Sequence, residues 1–429
     1  MKIGPTWRVL IALVLGLLAG ALSAGNGWSQ GAATVASTIG GIWLDALKMT
    51  VIPLIVALLV VGIVGGAEAA REGGTAARSM LWFVVILTGS AVFGGLVMPL
   101  LLGAFPLPQT AAAALRAGLG AIDPKAAAGS VPVLADFVKG IIPANVVKAA
   151  SDGAILPLVV FTLLFAFAIA RIAPEKRIPL VAFLDAIAEA MLVIIGWVLW
   201  LAPVGVLALA FTVGVGAGGA AFGAVLHYMV LVSLLGITVM LAGYAVALFG
   251  ARWSLPRFAR AMIPPQAVAI STQSSLASLP AMLGAARELG VPAAGADVTL
   301  PLSVALFRAT GPAMNMGVAI YVAHWLGVAL TPWQIAVGVA VAAATTYSAV
   351  SLPGQLSFVT NIAPISLSMG LPIEPLAILI AVETIPDIFR TLGNVTMDVA
   401  VTGLAARGRG ARAVGESAPV AAAISSSTP

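Results

Sequence analysis

Long apolar runs constrain this chain more than any other feature. They fall at about 8–25, 42–67, 79–103, 152–172, 179–212 and 222–249, and a less regular hydrophobic block follows from 255 to 405. Several hold the ~20 apolar residues that a helix needs to cross ~30 Å of hydrocarbon. Of 429 residues, 61% are hydrophobic and only 9% charged, whereas a soluble domain carries roughly 25% charged residues. A water-soluble surface cannot be made from this composition, so the sequence predicts an all-α integral membrane protein.

The charges that remain are ordered. If the N-terminus with Lys2 and Arg8 faces the cytoplasm, then Arg71, Arg78, Arg171, Lys176, Arg177, Arg252, Arg257 and Arg260 fall on the same side, and Arg407, Arg409 and Arg412 follow the last helix there. The opposite stretches, 26–41 and 213–221, contain no Lys or Arg. Positively charged loops stay cytoplasmic, so both termini are expected inside, in a multi-pass protein of the inner membrane. Arg116, Lys125 and Lys139 in the 104–145 connection depart from the rule. The net charge of +5 and pI near 9.8 follow from these helix-end residues and do not point to nucleic acid.

Other chemistries are excluded or disfavoured. There is no cysteine, hence no disulfide, thiolate nucleophile or cysteine-metal site. His227 and His324 sit in apolar surroundings and share no metal-ligand spacing. Residues 1–24 mimic a signal peptide, with small residues at Ala21-Leu22-Ser23-Ala24, but cleavage would remove the N-in start, so retention is expected. Residues 406–429, rich in Ala, Ser, Gly and Arg, are expected to form a disordered cytoplasmic tail. The remainder divides into N-terminal helices at 1–254 and a binding core at 255–405.

Within that core, Ser275-Leu276-Ala277-Ser278-Leu279-Pro280 and Ser348-Ala349-Val350-Ser351-Leu352-Pro353 both read S-x-x-S-L-P, each between apolar segments too short for two crossings. Interrupted backbone at membrane depth is tolerated only inside protein or along a cavity. The two segments therefore predict re-entrant helical hairpins, the sequence sign of a carrier's binding site. Gly311-Pro312 is expected to kink a helix and free carbonyl oxygens which, with Asn315, suit an alkali cation.

The most polar membrane segment runs from Ile378 to Leu404. Its Glu383, Asp387, Arg390, Thr391, Asn394 and Asp398 fall within an arc of roughly 100° on a helix. A lone charge at mid-membrane costs at least ~2.5–3.5 kcal/mol, so this face must look into a polar interior. Three carboxylates beside one guanidinium leave acceptors for a cation and a two-pronged donor for a carboxylate.

With these pieces in order, the sequence resembles the dicarboxylate/amino acid:cation symporter family, the glutamate transporter homologues. The resemblance runs from Lys48-Met49-Thr50-Val51-Ile52-Pro53-Leu54 through Ala202-Pro203-Val204-Gly205-Val206 to Asp398. It is strongest at Asp387-x-x-Arg390-Thr391-x-x-Asn394-Val395-Thr396-x-Asp398. It implies about eight transmembrane helices plus two re-entrant hairpins related as inverted repeats, assembled as a homotrimer. Spans 1, 2, 4 and 5 would hold a scaffold against which spans 3, 6, 7, 8 and both hairpins move as an elevator. Arg390 would grip a substrate side-chain carboxylate and Asp387 an amino group, with Thr391 and Asn394 completing the wall. Gln273, Ser274 and Ser275, and Ser351, Leu352, Pro353 and Gly354, would form the hairpin tips that hold the main-chain carboxylate. Gly311, Asn315, Asn394 and Asp398 match a sodium site of the family.

The departures from the family pattern are specific. Asn315-Met316-Gly317-Val318-Ala319 stands where Asn-Met-Asp-Gly-Thr is usual, so a sodium-binding carboxylate and a substrate hydroxyl are missing. Near Thr88, Val85 replaces an aromatic and Gly89 a hydroxyl. Gln355 and Leu356 replace small residues in the second hairpin, and Gln273 stands where some prokaryotic members have Arg. The expected activity is symport of a small anionic solute, an acidic amino acid or dicarboxylate, with no cofactor and with Na+ or H+ as coupling ion. The loss at Gly317, with Glu383 retained, favours protons. A sodium-coupled carrier of a neutral or sulfur-containing amino acid is the alternative, an anion channel a more distant one. A membrane-embedded enzyme lacks a nucleophile-base or metal constellation.

Overall fold

The computed structural model describes residues 5–71, 74–107, 142–152, 154–217, 220–348 and 354–413. Among them every regular element is helical. Four helices are long and apolar enough to cross a membrane: Ser29–Glu68, Gly74–Ala104, Pro174–Trp200 and Phe222–Gly250.

The chain begins with α1 (Pro5–Ser23), α2 (Ser29–Arg71) and α3 (Gly74–Ala104). The apolar run at 42–67 is only the middle of α2, whose 43 residues extend about 65 Å, twice the hydrocarbon thickness. After the short α4 (Val146–Ser151) come α5 (Ile155–Ile169), α6 (Pro174–Trp200) and α7 (Ala202–Ala217). The single span expected at 179–212 is therefore two helices. Pro203 has no N–H to continue the ladder and its ring crowds the preceding turn, so the helix breaks at Leu201. The Trp43 indole donates to the Val198 carbonyl at 2.8 Å beside the break, and its ring lies where a side chain at Gly205 would have to sit. Because α7 packs along α1 and α2 and hardly touches α6, the chain bends here and does not fold back.

Helices α1 and α7 approach backbone to backbone. A Cβ on Gly16, Gly20 or Gly214 would strike main-chain atoms of the facing helix, the small-residue contact that replaces hydrophobic driving force between helices in lipid. Together α1, α2, α5, α6 and α7 pack mainly on one another.

The second group of helices starts with α3 and α8 (Ala220–Ala245), which ends in a wider π turn at Val246–Gly250. Then α9 (Leu255–Thr272) and α10 (Ser275–Glu288) form the first hairpin. Their lengths of 18 and 14 residues correspond to about 27 and 21 Å, too short for full crossings. The reversal lies at Gln273, in the left-handed region at φ 51°, and at Ser274, whose side chain accepts from the Ala277 amide. The motif Ser275–Pro280 is thus the first turns of the returning arm, and Pro280, the sixth residue of that helix, lacks the N–H that would bond back to the preceding turn.

Next come α11 (Ala293–Leu306) and α12 (Thr310–Leu326), separated by the non-helical Phe307, Arg308 and Ala309. The expected Gly-Pro kink takes a different form. Pro312 lies in the first turn of α12, where its missing N–H is no loss, and the irregular backbone precedes it. Helices α13 (Pro332–Thr345) and α14 (Gly354–Ser368) flank a tight turn at Thr346–Ser348 and pack on each other. Of the second S-x-x-S-L-P only Ser348 is described; Leu352, with the rest of 349–353, lies outside the described residues. The chain ends with α15 (Leu376–Leu379) and α16 (Thr384–Ala413). Helix α16 packs against α3 and α8 through α12. Nearly all of α12 is buried beside it.

Candidate substrate and cation site

The polar face of α16 looks into the bundle, and the structure gathers Glu383, Asp387, Arg390, Thr391 and Asn394 there, all buried. Glu383 lies one residue before α16, yet its carbonyl accepts from the Asp387 amide at 2.8 Å, so it continues the helical stripe. Arg390 is the hub. Its Nη2 donates to Glu383 Oε1 at 2.6 Å, Nη1 donates to Asn315 Oδ1 at 2.8 Å, and Nε faces Asp387 Oδ1 at 3.4 Å. The far oxygen of Glu383 accepts from the Tyr228 hydroxyl of α8 at 3.2 Å. Burying a guanidinium is tolerable only with such partners, and here carboxylates and an amide serve every edge of the fork.

Hairpin one reaches the same end of the stripe. The Gln273 side chain donates to the Thr384 carbonyl at 3.4 Å, which sets the half-buried Ser274 and Ser275 at the start of α16. The Ser274 oxygen is engaged as a helix cap, but its hydroxyl proton remains available to a ligand. Thr391 turns its hydroxyl back to the Asp387 carbonyl at 2.9 Å.

Farther along α16 the irregular start of α12 is tied down by side chains from neighbouring helices. Asn394 Oδ1 accepts both the Thr310 amide at 2.9 Å and the Thr310 hydroxyl at 2.7 Å. Gly393 permits this approach, since a side chain there would collide with Thr310 and the α8 backbone. Ser90 of α3 donates to the Ala309 carbonyl at 2.5 Å and accepts from the Ala313 amide at 3.2 Å. Without these partners the broken segment would leave buried backbone groups unpaired.

Asp398 differs from its neighbours. It is 0% exposed, and neither carboxylate oxygen has a hydrogen-bond partner among the described residues. The Ser303 hydroxyl lies within reach of the Asp398 carboxylate but donates to the Leu300 carbonyl at 2.9 Å, and Arg308 acts on Asp398 through its field. A buried ionised carboxylate without a bonded partner is strongly disfavoured, which is the situation a bound cation relieves. Of the sodium ligands implied by resemblance, Gly311 and Asn315 lie on α12 near this carboxylate's helix, but Asn394 spends its side-chain oxygen on Thr310 and Asn315 spends its own on Arg390.

Two departures from the family pattern have structural consequences. At Gly317 an added Cβ would meet the Leu235 side chain, which fills that space. Val318 and Ala319 are fully buried. On α3, Val85, Thr88 and Gly89 are exposed on the outer surface of this chain, so the α3 contribution comes from Ser90. Sequence reading missed Ser90, Tyr228 and Arg308. The usable signal for Arg308 was an arginine inside an apolar block, functional by default, and for Tyr228 its rarity, one of four tyrosines in the chain.

A hairpin and a broken helix packed around a buried charged stripe are the arrangement of a membrane carrier. The sodium:dicarboxylate symporter family model matches residues 6–407, and the chain belongs to that family; it is a cation-coupled symporter, not an enzyme. It is 28% identical over 405 residues to a proton/sodium-glutamate symport protein of Bacillus subtilis, covering 92% of this chain and 90% of that protein. It is 27% identical over 409 residues to a proton/glutamate-aspartate symporter of Escherichia coli, with 92% and 90% covered. A C4-dicarboxylate transport protein of Laribacter hongkongensis is 26% identical over 405 residues, with 94% and 88% covered.

Proposed function

We propose that this chain imports an acidic amino acid or a C4 dicarboxylate across the inner membrane, with the substrate carboxylate bound by Arg390. The buried fork of Arg390 carries the reading, because a planar guanidinium at membrane depth matches a carboxylate in two-point contact. Asp387 would receive an amino group where the substrate has one. Thr391, Asn394, Ser274, Ser275 and Leu352 would complete the enclosure.

Charge explains why a cation must accompany the substrate. Three carboxylates, Glu383, Asp387 and Asp398, stand against two guanidiniums, Arg308 and Arg390, leaving one negative charge in excess. An anionic ligand adds to that excess in a medium that poorly tolerates net charge. Asp398, with the Gly311 carbonyl and Asn315, is the proposed sodium position, and Asn394 supports it by holding Thr310. Leu235 beside Gly317 supports the loss of a second position.

The family resemblance and the positive-inside pattern support a homotrimer with both termini cytoplasmic. In this reading α1, α2, α5, α6 and α7 form the scaffold, and α3 with α8 to α16 the unit that moves as an elevator. One observation favours the neutral-amino-acid alternative: Arg390 is already paired with two carboxylates. Uptake in proteoliposomes separates the readings. Arg390→Ala should abolish uptake of labelled glutamate or succinate, and acidic solutes should compete; intact uptake in Arg390→Ala, or competition by neutral solutes alone, contradicts the assignment.

A further inference from the structure

Glu383 occupies the position on Arg390 that an acidic ligand would take. Arg390 gives Nη1 to Asn315, Nη2 to Glu383 and faces Asp387 through Nε, so every nitrogen of the guanidinium already has a partner and a ligand carboxylate in two-point contact competes with them. Of the two resident carboxylates, Glu383 is the better placed to leave. It lies in the turn before α16, whereas Asp387 is held within the first turn of the helix. Glu383 also has a partner suited to both of its charge states. The Tyr228 hydroxyl donates to ionised Glu383 at 3.2 Å and, by rotating, accepts from the neutral acid, while Arg390 can only donate. Asp387 has no such two-way partner among the described residues.

A carboxylate that loses its cation while buried at 1% exposure cannot stay ionised cheaply and takes up a proton. We propose that Glu383 is the proton-binding group of the transport cycle: an acidic ligand replaces it on Arg390, and it turns to Tyr228 as the neutral acid. One O–H bond forms on Glu383, with the proton taken from the aqueous compartment to which the site is open. Release reverses the exchange, returning the proton and restoring the Arg390–Glu383 pair. This assigns a coupling proton to a named side chain and rests on the acidic-ligand reading above.

Few other charges face Glu383. On α16 these are Asp387 and Arg390, with Asp398 about four turns from Glu383; Arg308 precedes α12; Tyr228 comes from α8 and, edge-on to its ring at 5.3 Å between centroids, Tyr321 from α12. From α9 comes the uncharged Gln273, which reaches the Thr384 carbonyl. The nearest histidine is His227, whose Nδ1 lies 3.1 Å from the Tyr321 hydroxyl and whose Nε2 lies 2.8 Å from the Phe105 carbonyl. A His227 variant serves as the control.

The test is equilibrium binding of labelled L-glutamate and succinate to the purified full-length protein between about pH 6.5 and 8.5, where these ligands stay essentially ionised. With one proton taken up per ligand, affinity should fall about tenfold per pH unit. An indicator dye in weak buffer should register one proton taken up per ligand bound. Glu383→Gln should remove both the slope and the dye signal, and His227→Gln should keep both. If Glu383→Gln does not fold, Tyr228→Phe, which deprives the neutral acid of its acceptor, should weaken binding and lower proton uptake below one. Binding that is flat with pH and takes up no proton overturns this inference and leaves the acidic-ligand reading standing, as does a slope that vanishes in His227→Gln. If neither acid binds the folded protein at any pH, both fall.

Discussion

The two ends of the polar face on α16 differ in how the protein answers their charges. At the Glu383 end, each charge has partners: Arg390 joins Glu383, Asp387 and Asn315, and Tyr228 backs Glu383. At the other end Asp398 has no bonded partner among the described residues. A guanidinium with a partner on each nitrogen admits a ligand carboxylate in competition with those partners, while an unanswered carboxylate gains by simple addition of a cation. The first suits selection among anions, since a newcomer must outcompete a resident carboxylate. The second suits an ion that binds to relieve a buried charge. In the proposed reading one helix would carry the substrate at Arg390 and the driving ion at Asp398, eight positions on, close enough for each charge to affect the other's binding.

The comparison breaks most directly at Asp398. Asp398→Asn should remove the reason for cation addition, and sodium stimulation of uptake should fall about 100-fold, near the loss expected when a buried charge loses its partner. Ion-titrated uptake in proteoliposomes measures this, and unchanged sodium dependence would place the cation elsewhere. Gly317→Asp probes the space that Leu235 fills. It should lower stability by about 1–3 kcal/mol through overpacking, read as an earlier thermal transition, without creating a new sodium dependence. The smallest effect is expected outside the stripe, at the pair of Lys48 on α2 with Glu374 before α15, 2.5 Å apart and about one-third exposed. Half-exposed pairs contribute about 0–1 kcal/mol, so Glu374→Gln should change the uptake rate by no more than about fivefold. A larger change would mean that this contact between the two packing groups limits transport.

Much of this was legible in the sequence. The stripe was readable because charges are rare in these spans and helical spacing places them on one face. The first hairpin was readable as an interruption, but its turn sits at Gln273 and Ser274, ahead of the repeated motif, because Ser274 is the residue that caps the returning arm. The break at Leu201 was hidden inside a continuous apolar run, where hydrophobicity dominates the signal and Pro203 alone marks the bend. Ser90 was invisible and Tyr228 marked only by its rarity for a different reason: a single hydroxyl in an apolar helix has no periodicity, and its importance comes from what faces it. That the Gly317 space is filled by Leu235 could not be read either, because the two lie 82 positions apart.

The central claim, cation-driven carriage of an acidic solute through the Arg390 site, is tested most directly by accumulation in sealed proteoliposomes. Labelled glutamate or succinate is supplied outside, and an inward proton or sodium gradient is imposed separately and then collapsed with an ionophore. The account predicts accumulation above the outside concentration while the gradient lasts, its loss on collapse, and none of it in Arg390→Ala. Entry that stops at equal concentrations whatever the gradient would contradict it and indicate a passive pore.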